Sequence, residues 1–233
     1  MKPVQPPASM VVLATAGKVY SRPFRQQIRS RRAGCSGVLL GPVMHGEHRV
    51  VLRCPRLADA SAWRSIRLRD QHLIEPFWVS CTQSWAERHT AHAWVEEVLS
   101  AHKDARAGRA LSQVIEVDGR FAGQFNLARI DSWAQSAEIG VWLDSTLARQ
   151  GIIAAAGMLL ADYSFGPLGL RRVTAPVCVD NVSASRAVKQ FGMRQEGTMV
   201  SYLDVGGQRK DHDLWALTSE MWAAARGSTP TAR

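Results

Sequence analysis

Apolar residues at Ala91, Trp94, Val95, Val98 and Leu99 fall three and four positions apart, and this spacing predicts an amphipathic helix. Ser84 and Glu87, an S-x-x-E pair just upstream, predict a capping box that opens it, with the helix running to about His102. An earlier helix, Ala58 to about Arg69, carries Ala62, Ile66 and Leu68 among arginines, and the segment LIEPFWVS between the two helices is aromatic, with Pro76 interrupting it. Elsewhere the pattern alternates. HRVVLRCP, from His48, reads as a first strand, the folded body being expected to start after Met44. ALSQVIEV and RFAGQFNLAR pair as a hairpin across Asp118-Gly119, a strong turn signal, and Phe121, Gly123, Phe125 and Leu127 share one face. A strand at 136–143, a helix at 151–165 and a strand at 171–179 follow. Pro176 cannot donate to a ladder, so that last strand is expected to be unpaired on one side there. A helix at 183–190 stops at Gly192, a hairpin turns at Gly206-Gly207, and a short helix near 219–225 closes the pattern. Helices and strands do not alternate strictly, which indicates an α+β fold on a mixed, mainly antiparallel sheet.

The 233 residues suffice for one domain with a substantial core, and no apolar run reaches the roughly 20 residues of a membrane span. The net charge of +9 is unevenly placed. Residues 1–43 carry Lys2, Lys18, Arg22, Arg25, Arg29, Arg31 and Arg32 with no acidic residue, leaving a balance of +2 for the rest. The basic character therefore belongs to a leader and says little about what the body binds. That leader reads as an inert segment, a polyanion-binding arm or a targeting peptide, the first being favoured. The body is taken as 44–225, followed by a polar tail at 226–233. Cys35, Cys54, Cys81 and Cys178 form no C-x-x-C pair, so neither a zinc site nor a disulfide framework is indicated, and a reducing cytoplasm is expected. His89 and His92 lack a third metal ligand at useful spacing and read as surface histidines; no metal is expected.

The chemistry concentrates where the strand AEIGVWL gives way to a helix opened by Arg149-Gln150-Gly151-Ile152-Ile153-Ala154. Unpaired amides and the positive end of the helix dipole meet there, an arrangement suited to an anion or to close packing on a sheet. Neither a P-loop nor a dinucleotide fingerprint is present.

AEIGVWL, ARQGII, NVSA, KQFGM and the EG at Glu196-Gly197 resemble, in order, the motifs of the Gcn5-related N-acetyltransferase (GNAT) family, RimJ/RimL-like branch. The resemblance spans about residues 48–222. It implies a central sheet splayed between the fourth and fifth strands of the domain and flanked by helices, with acetyl-CoA as cosubstrate. Val141, Trp142 and Leu143 would line the pantetheine arm, amides of Arg149, Gln150, Gly151, Ile152, Ile153 and Ala154 would hold the pyrophosphate, and Asn181 would contribute. Where the family has N-x-x-S this chain has Ala184, so Ser183, Ser185 or water would have to replace that serine as proton donor; Ser183 also fits as a helix N-cap.

Acetyl transfer needs a neutral amine. A protein α-amine titrates near 8 and lysine near 10.4, a difference of roughly 3 kcal/mol in deprotonation cost, so one carboxylate suffices as base for an N-terminus. Glu138 is the candidate base, with Glu75 and Trp78 on the acceptor side. The implied acceptor is a protein N-terminus such as that of a ribosomal protein. A small amine, or a non-catalytic acyl-CoA or RNA-associated role, is the alternative. Contact with nucleic acid is expected only through the leader, and the oligomeric state is left open.

Overall fold

A computed structural model describes residues 37–227. Eight strands form one sheet: β1 Leu39–His45, β2 His48–Arg53, β3 Leu111–Val117, β4 Arg120–Asp131, β5 Ser136–Leu143, β6 Arg172–Cys178, β7 Arg194–Val205 and β8 Gln208–Thr218, in the order β1-β2-β3-β4-β5-β6-β8-β7. Every neighbouring pair is antiparallel except β5–β6. The α+β expectation is met, and no helix among the described residues is long and apolar enough to cross a membrane.

The helices are α1 Ala60–Arg69, α2 Gln71–Ile74, α3 Trp85–Arg88, α4 Ala91–Arg106, α5 Ile152–Phe165, α6 Val182–Gln190 and α7 Ser219–Gly227. Alternation divides the sheet residues between two faces. On one, Ile152, Ala155, Ala156 and Leu160 of α5 bury against Leu52, Ile115, Phe125 and Leu127. On the other, Trp63 and Ile66 of α1 and Trp94 and Val98 of α4 close over Val114, Phe121 and Trp142. A third cluster joins Val188 and Phe191 at α6 to Val177, Trp215 and Leu217.

Phe121 does not share a face with Phe125 and Leu127, because a bulge where Ile115 pairs with Gly123 and Glu116 with Phe121 turns its ring to the α1–α4 side, and three further expectations change. The sheet begins at Leu39, inside the segment read as leader: Leu39 pairs with Arg53, Leu40 with Leu52 and Val43 with Val50. β1 lacks clean alternation because Pro42 and a bulge between Leu40 and Val43 interrupt it. Residues 1–36 lie outside the described residues. Second, the capping box forms, but it opens only the single turn α3. The long helix has its own cap, with Thr90 Oγ1 accepting from the Ala93 amide at 3.1 Å. Third, His89 is not a surface histidine; it sits buried at the break between α3 and α4. Cys54, Cys81 and Cys178 are free thiols, Cys35 falls outside the described residues, and no cluster of three or more metal-ligating side chains occurs among those described.

Candidate active site

The parallel ladder between β5 and β6 is three pairs long: Ser136 with Arg172, Ala137 with Val173 and Glu138 with Thr174. Beyond Glu138 the strands part. Residues 139–143 remain paired to β4 and residues 175–178 to β8, so a gap opens inside an otherwise continuous sheet. Pro176 lies on β6 in this unpaired stretch, as its missing N–H requires. Val141 is 39% exposed in the gap, and a β-carbon built on Gly140 would meet nothing within 4 Å. A slender chain seeking backbone hydrogen bonds fits such an edge.

β5 leads into α5 through a short loop that other elements hold. Asp70, between α1 and α2, accepts from the Ser145 amide and hydroxyl, both at 2.9 Å. Burial works against its charge, but Arg69 and the Ser145 donors outweigh it and keep the carboxyl at about 2. Arg69 also reaches Asp144 at 2.6 Å. The chain then passes through left-handed conformations at Arg149 (φ 62°) and Gly151 (φ 73°) before α5 starts. Gly151 cannot carry a side chain: a β-carbon there would lie 2.0 Å from His45 Nε2. The first-turn amides of the 14-residue helix are presented at this point, with no acidic residue among them. β5 and β6 run parallel, so α5 and α6 both begin at the open end of the gap.

At the closed end Glu138 receives a hydrogen bond from Arg129 at 3.0 Å, and Arg129 also bonds the Tyr202 hydroxyl of β7 at 3.0 Å. The segment Glu75–Ser80 meets the far end of β7, where Val79 bridges Val205 and the Ser80 amide donates to Asp204. Glu75 accepts from Gln71 at 2.6 Å. Trp78 is turned inward, its ring centroid 3.8 Å from the guanidinium carbon of Arg67. That guanidinium also lies over Trp85 and Trp142 and donates through Nε to His89 at 3.1 Å.

A family model described as an acetyltransferase (GNAT) domain matches residues 49–194, more than half of the chain. The chain belongs to the GNAT acetyltransferase family. Among solved structures, Mycobacterium smegmatis RimJ in complex with CoA-disulfide is similar at 33% identity and a TM-score of 0.76, over 82% of this chain and 96% of that one. A Vibrio fischeri ribosomal-protein-S5-alanine acetyltransferase shares the fold at 21% identity and a TM-score of 0.69, over 79% and 98% of the two chains. The probable N-acetyltransferase YjcK of Bacillus subtilis (strain 168) is 33% identical over 101 residues, 43% of this chain. The chain spans just over half the length of that curated relative, 56%.

In this GNAT fold Val141 and Leu143 lie along the gap, and Arg149 to Ala154 stand at its open end. Trp142 contributes backbone only, since its ring is buried and its Nε1 donates to Gln124 at 2.9 Å. Asn181 Oδ1, and not Ser183, caps α6 by accepting from the Ala184 amide at 3.1 Å, and Ser183 is exposed. Ala184 packs toward the core cluster under α6. Trp78 is held against the Arg67 guanidinium. Sequence reasoning missed Arg67, Arg129, Tyr202, His45 and His48. Their partners are 9 to 106 positions away, so nothing local marks them.

Proposed function

We propose that this GNAT chain transfers the acetyl group of acetyl-CoA directly to a primary amine, the α-amine of a protein N-terminus. The gap between β5 and β6, open from residue 139 onward beside the first turn of α5, carries this reading. Likeness to a RimJ bound to a CoA disulfide at 33% identity supports the cosubstrate, and the ribosomal-protein acetyltransferase of similar fold supports the acceptor class.

Acetyl-CoA supplies an activated thioester. The chain's share is positioning. Exposed backbone of Val141 to Leu143 would pair with the pantetheine amides, and an N–H at Val141 would face the thioester oxygen as charge develops there. The amides from Arg149 to Ala154, with the Arg149 side chain, would hold the diphosphate. Glu138 would receive the proton of the acceptor amine, Arg129 keeping the carboxylate in place while competing with that amine for it. An α-amine near pH 8 is already partly neutral, so a tethered carboxylate is base enough. Ser183 or water at the α6 end would return a proton to the departing thiolate.

Two variants test the halves separately. Ala154 is exposed in the first turn of α5, and an aspartate there favours the helix while repelling a diphosphate. Ala154→Asp is expected to weaken acetyl-CoA binding about tenfold or more with no loss of thermal stability; unchanged affinity by calorimetry refutes the diphosphate loop. It is a cleaner probe than a Gly151 substitution, which would also collide with His45. Glu138→Gln is expected to lower turnover of an N-terminal peptide about tenfold to a hundredfold below pH 8, with acetyl-CoA affinity intact. An unaltered pH–rate profile removes Glu138 from the reaction. The natural acceptor is identified by mass spectrometry of protein N-termini from cells with and without the enzyme.

A further inference from the structure

Two histidines of the β1–β2 hairpin reach the loop that opens α5, and both precede residues 49–194 that the family model matches. His45, the last residue of β1, lays its imidazole against the α-carbon of Gly151, close enough that no β-carbon could stand between them. Its ring makes no hydrogen bond to protein among the described residues. His48, the first residue of β2, is engaged at both ring nitrogens: Nδ1 faces Asp118 Oδ2 and Nε2 faces Gln150 Oε1, each at 2.8 Å. The Gln150 amide cannot be turned round, because its Nε2 donates to the Thr146 carbonyl at 3.0 Å. Two acceptors on one imidazole require two donors, and only the imidazolium has them. The bonds to Asp118, first, and to Gln150 raise the His48 pKa accordingly.

We propose that His45 is a direct ligand of the coenzyme's diphosphate and that His48 is a positioning residue that ties the hairpin to Gln150 in the loop beneath it. This rests on the diphosphate lying at residues 149–154. The first-turn amides of α5 form one side of that site, and the His45 imidazole stands over it at Gly151. A ring N–H donating to a phosphate oxygen makes a charge-assisted hydrogen bond. The charged groups around the pair are Glu47 and Arg49 on the hairpin, Asp118 on the β3–β4 turn and Arg149 on the loop. The first turn of α5 adds no charge. Protonation of His48 therefore favours an anion at the mouth, and affinity for the coenzyme rises as the pH falls through the range in which that imidazole gains its proton. Without its proton His48 must turn a lone pair toward Asp118 or Gln150, which loosens the loop.

Calorimetric titration of the full chain with CoA and with 3′-dephospho-CoA, at pH 6 and pH 8, tests this. His45→Ala is expected to weaken both ligands about tenfold at both pH values. An equal loss for dephospho-CoA assigns the contact to the diphosphate and not to the 3′-phosphate. His45→Gln, which keeps a donor, is expected to recover most of the lost affinity. His48→Gln is expected to remove the rise in affinity from pH 8 to pH 6, with a smaller loss of affinity than His45→Ala. His45→Ala binding as tightly as the wild type, or tighter, overturns the proposal, as does a loss confined to CoA. If Ala154→Asp still weakens binding in that case, only the histidine assignment falls. If Ala154→Asp also binds normally, the loop assignment falls with it.

Discussion

Arg67 carries its guanidinium into the interior beside three tryptophans, and no carboxylate stands within ion-pair distance among the described residues. Burial lowers its pKa to about 10, which still leaves it charged at neutral pH. Its charge is met by ring faces and by the lone pair of His89 Nε2, so His89 must be neutral, with its proton on Nδ1 directed at the Trp85 carbonyl 2.6 Å away. Burial first, and then the nearby cations Arg67 and Arg88, push the His89 pKa down to about 4, only partly offset by the Trp85 bond. A folded-state value below the unfolded one means that the unfolded chain takes up the proton first. The stabilisation is complete above about pH 6.5 and is lost as the pH falls through about 4. Chemical denaturation at pH 7 and at pH 4.5 is expected to differ by about 2 kcal/mol on this account, and His89→Gln is expected to remove most of that difference. In the sequence, His89 looked like one of two histidines on an exposed helix. The break that buries it depends on Thr90 competing as a cap, which periodicity alone does not reveal.

At the scale of elements, most boundaries were legible because each has a local cause. The Asp118-Gly119 turn, the Gly206-Gly207 turn and the left-handed stop at Gly192 occur where the pattern places them, whereas of the apolar set on α4 Val95 and Leu99 are exposed. β1 was missed because an edge strand with a proline and a bulge shows little alternation, and because the charge pattern grouped it with the basic leader. Its role is nonetheless structural: it covers Val50 and Leu52, which are fully buried, and Leu159 of α5 approaches it at Gly41. Removing residues 1–43 is therefore expected to lower stability by about 2 kcal/mol or more relative to removing residues 1–36. It would also displace the hairpin that carries His45. Equal melting temperatures for the two truncations would show that β1 is dispensable.

For the molecule as a whole, the decisive feature is where one ladder stops. β4 and β5 must stay tightly paired for β5 to part from β6, and Gly123 secures this, since a β-carbon there would come within 2.3 Å of the Trp142 carbonyl oxygen. Gly123→Ala is expected to cost about 1–3 kcal/mol through forced separation of β4 and β5 and to weaken acetyl-CoA binding by narrowing the gap. Wild-type affinity and melting temperature would show that the sheet absorbs the extra methyl elsewhere. The Glu138–Arg129–Tyr202 chain closes the opposite end by joining β5 to β7 across strands that are not neighbours.

The sequence by itself determined the order of the elements from β2 onward apart from the short α2 and α3, the strand-to-helix junction at Gly151 and the family, because turns, caps, periodicity and motifs are each written within a few consecutive residues. Only the tertiary structure decided that the sheet opens after Glu138, that Arg67 holds Trp78 inward, that Asn181 rather than Ser183 caps α6, and that two histidines stand at the mouth of the gap. Those outcomes depend on which distant groups compete for the same hydrogen bond or the same space, and that competition exists only once the chain has folded.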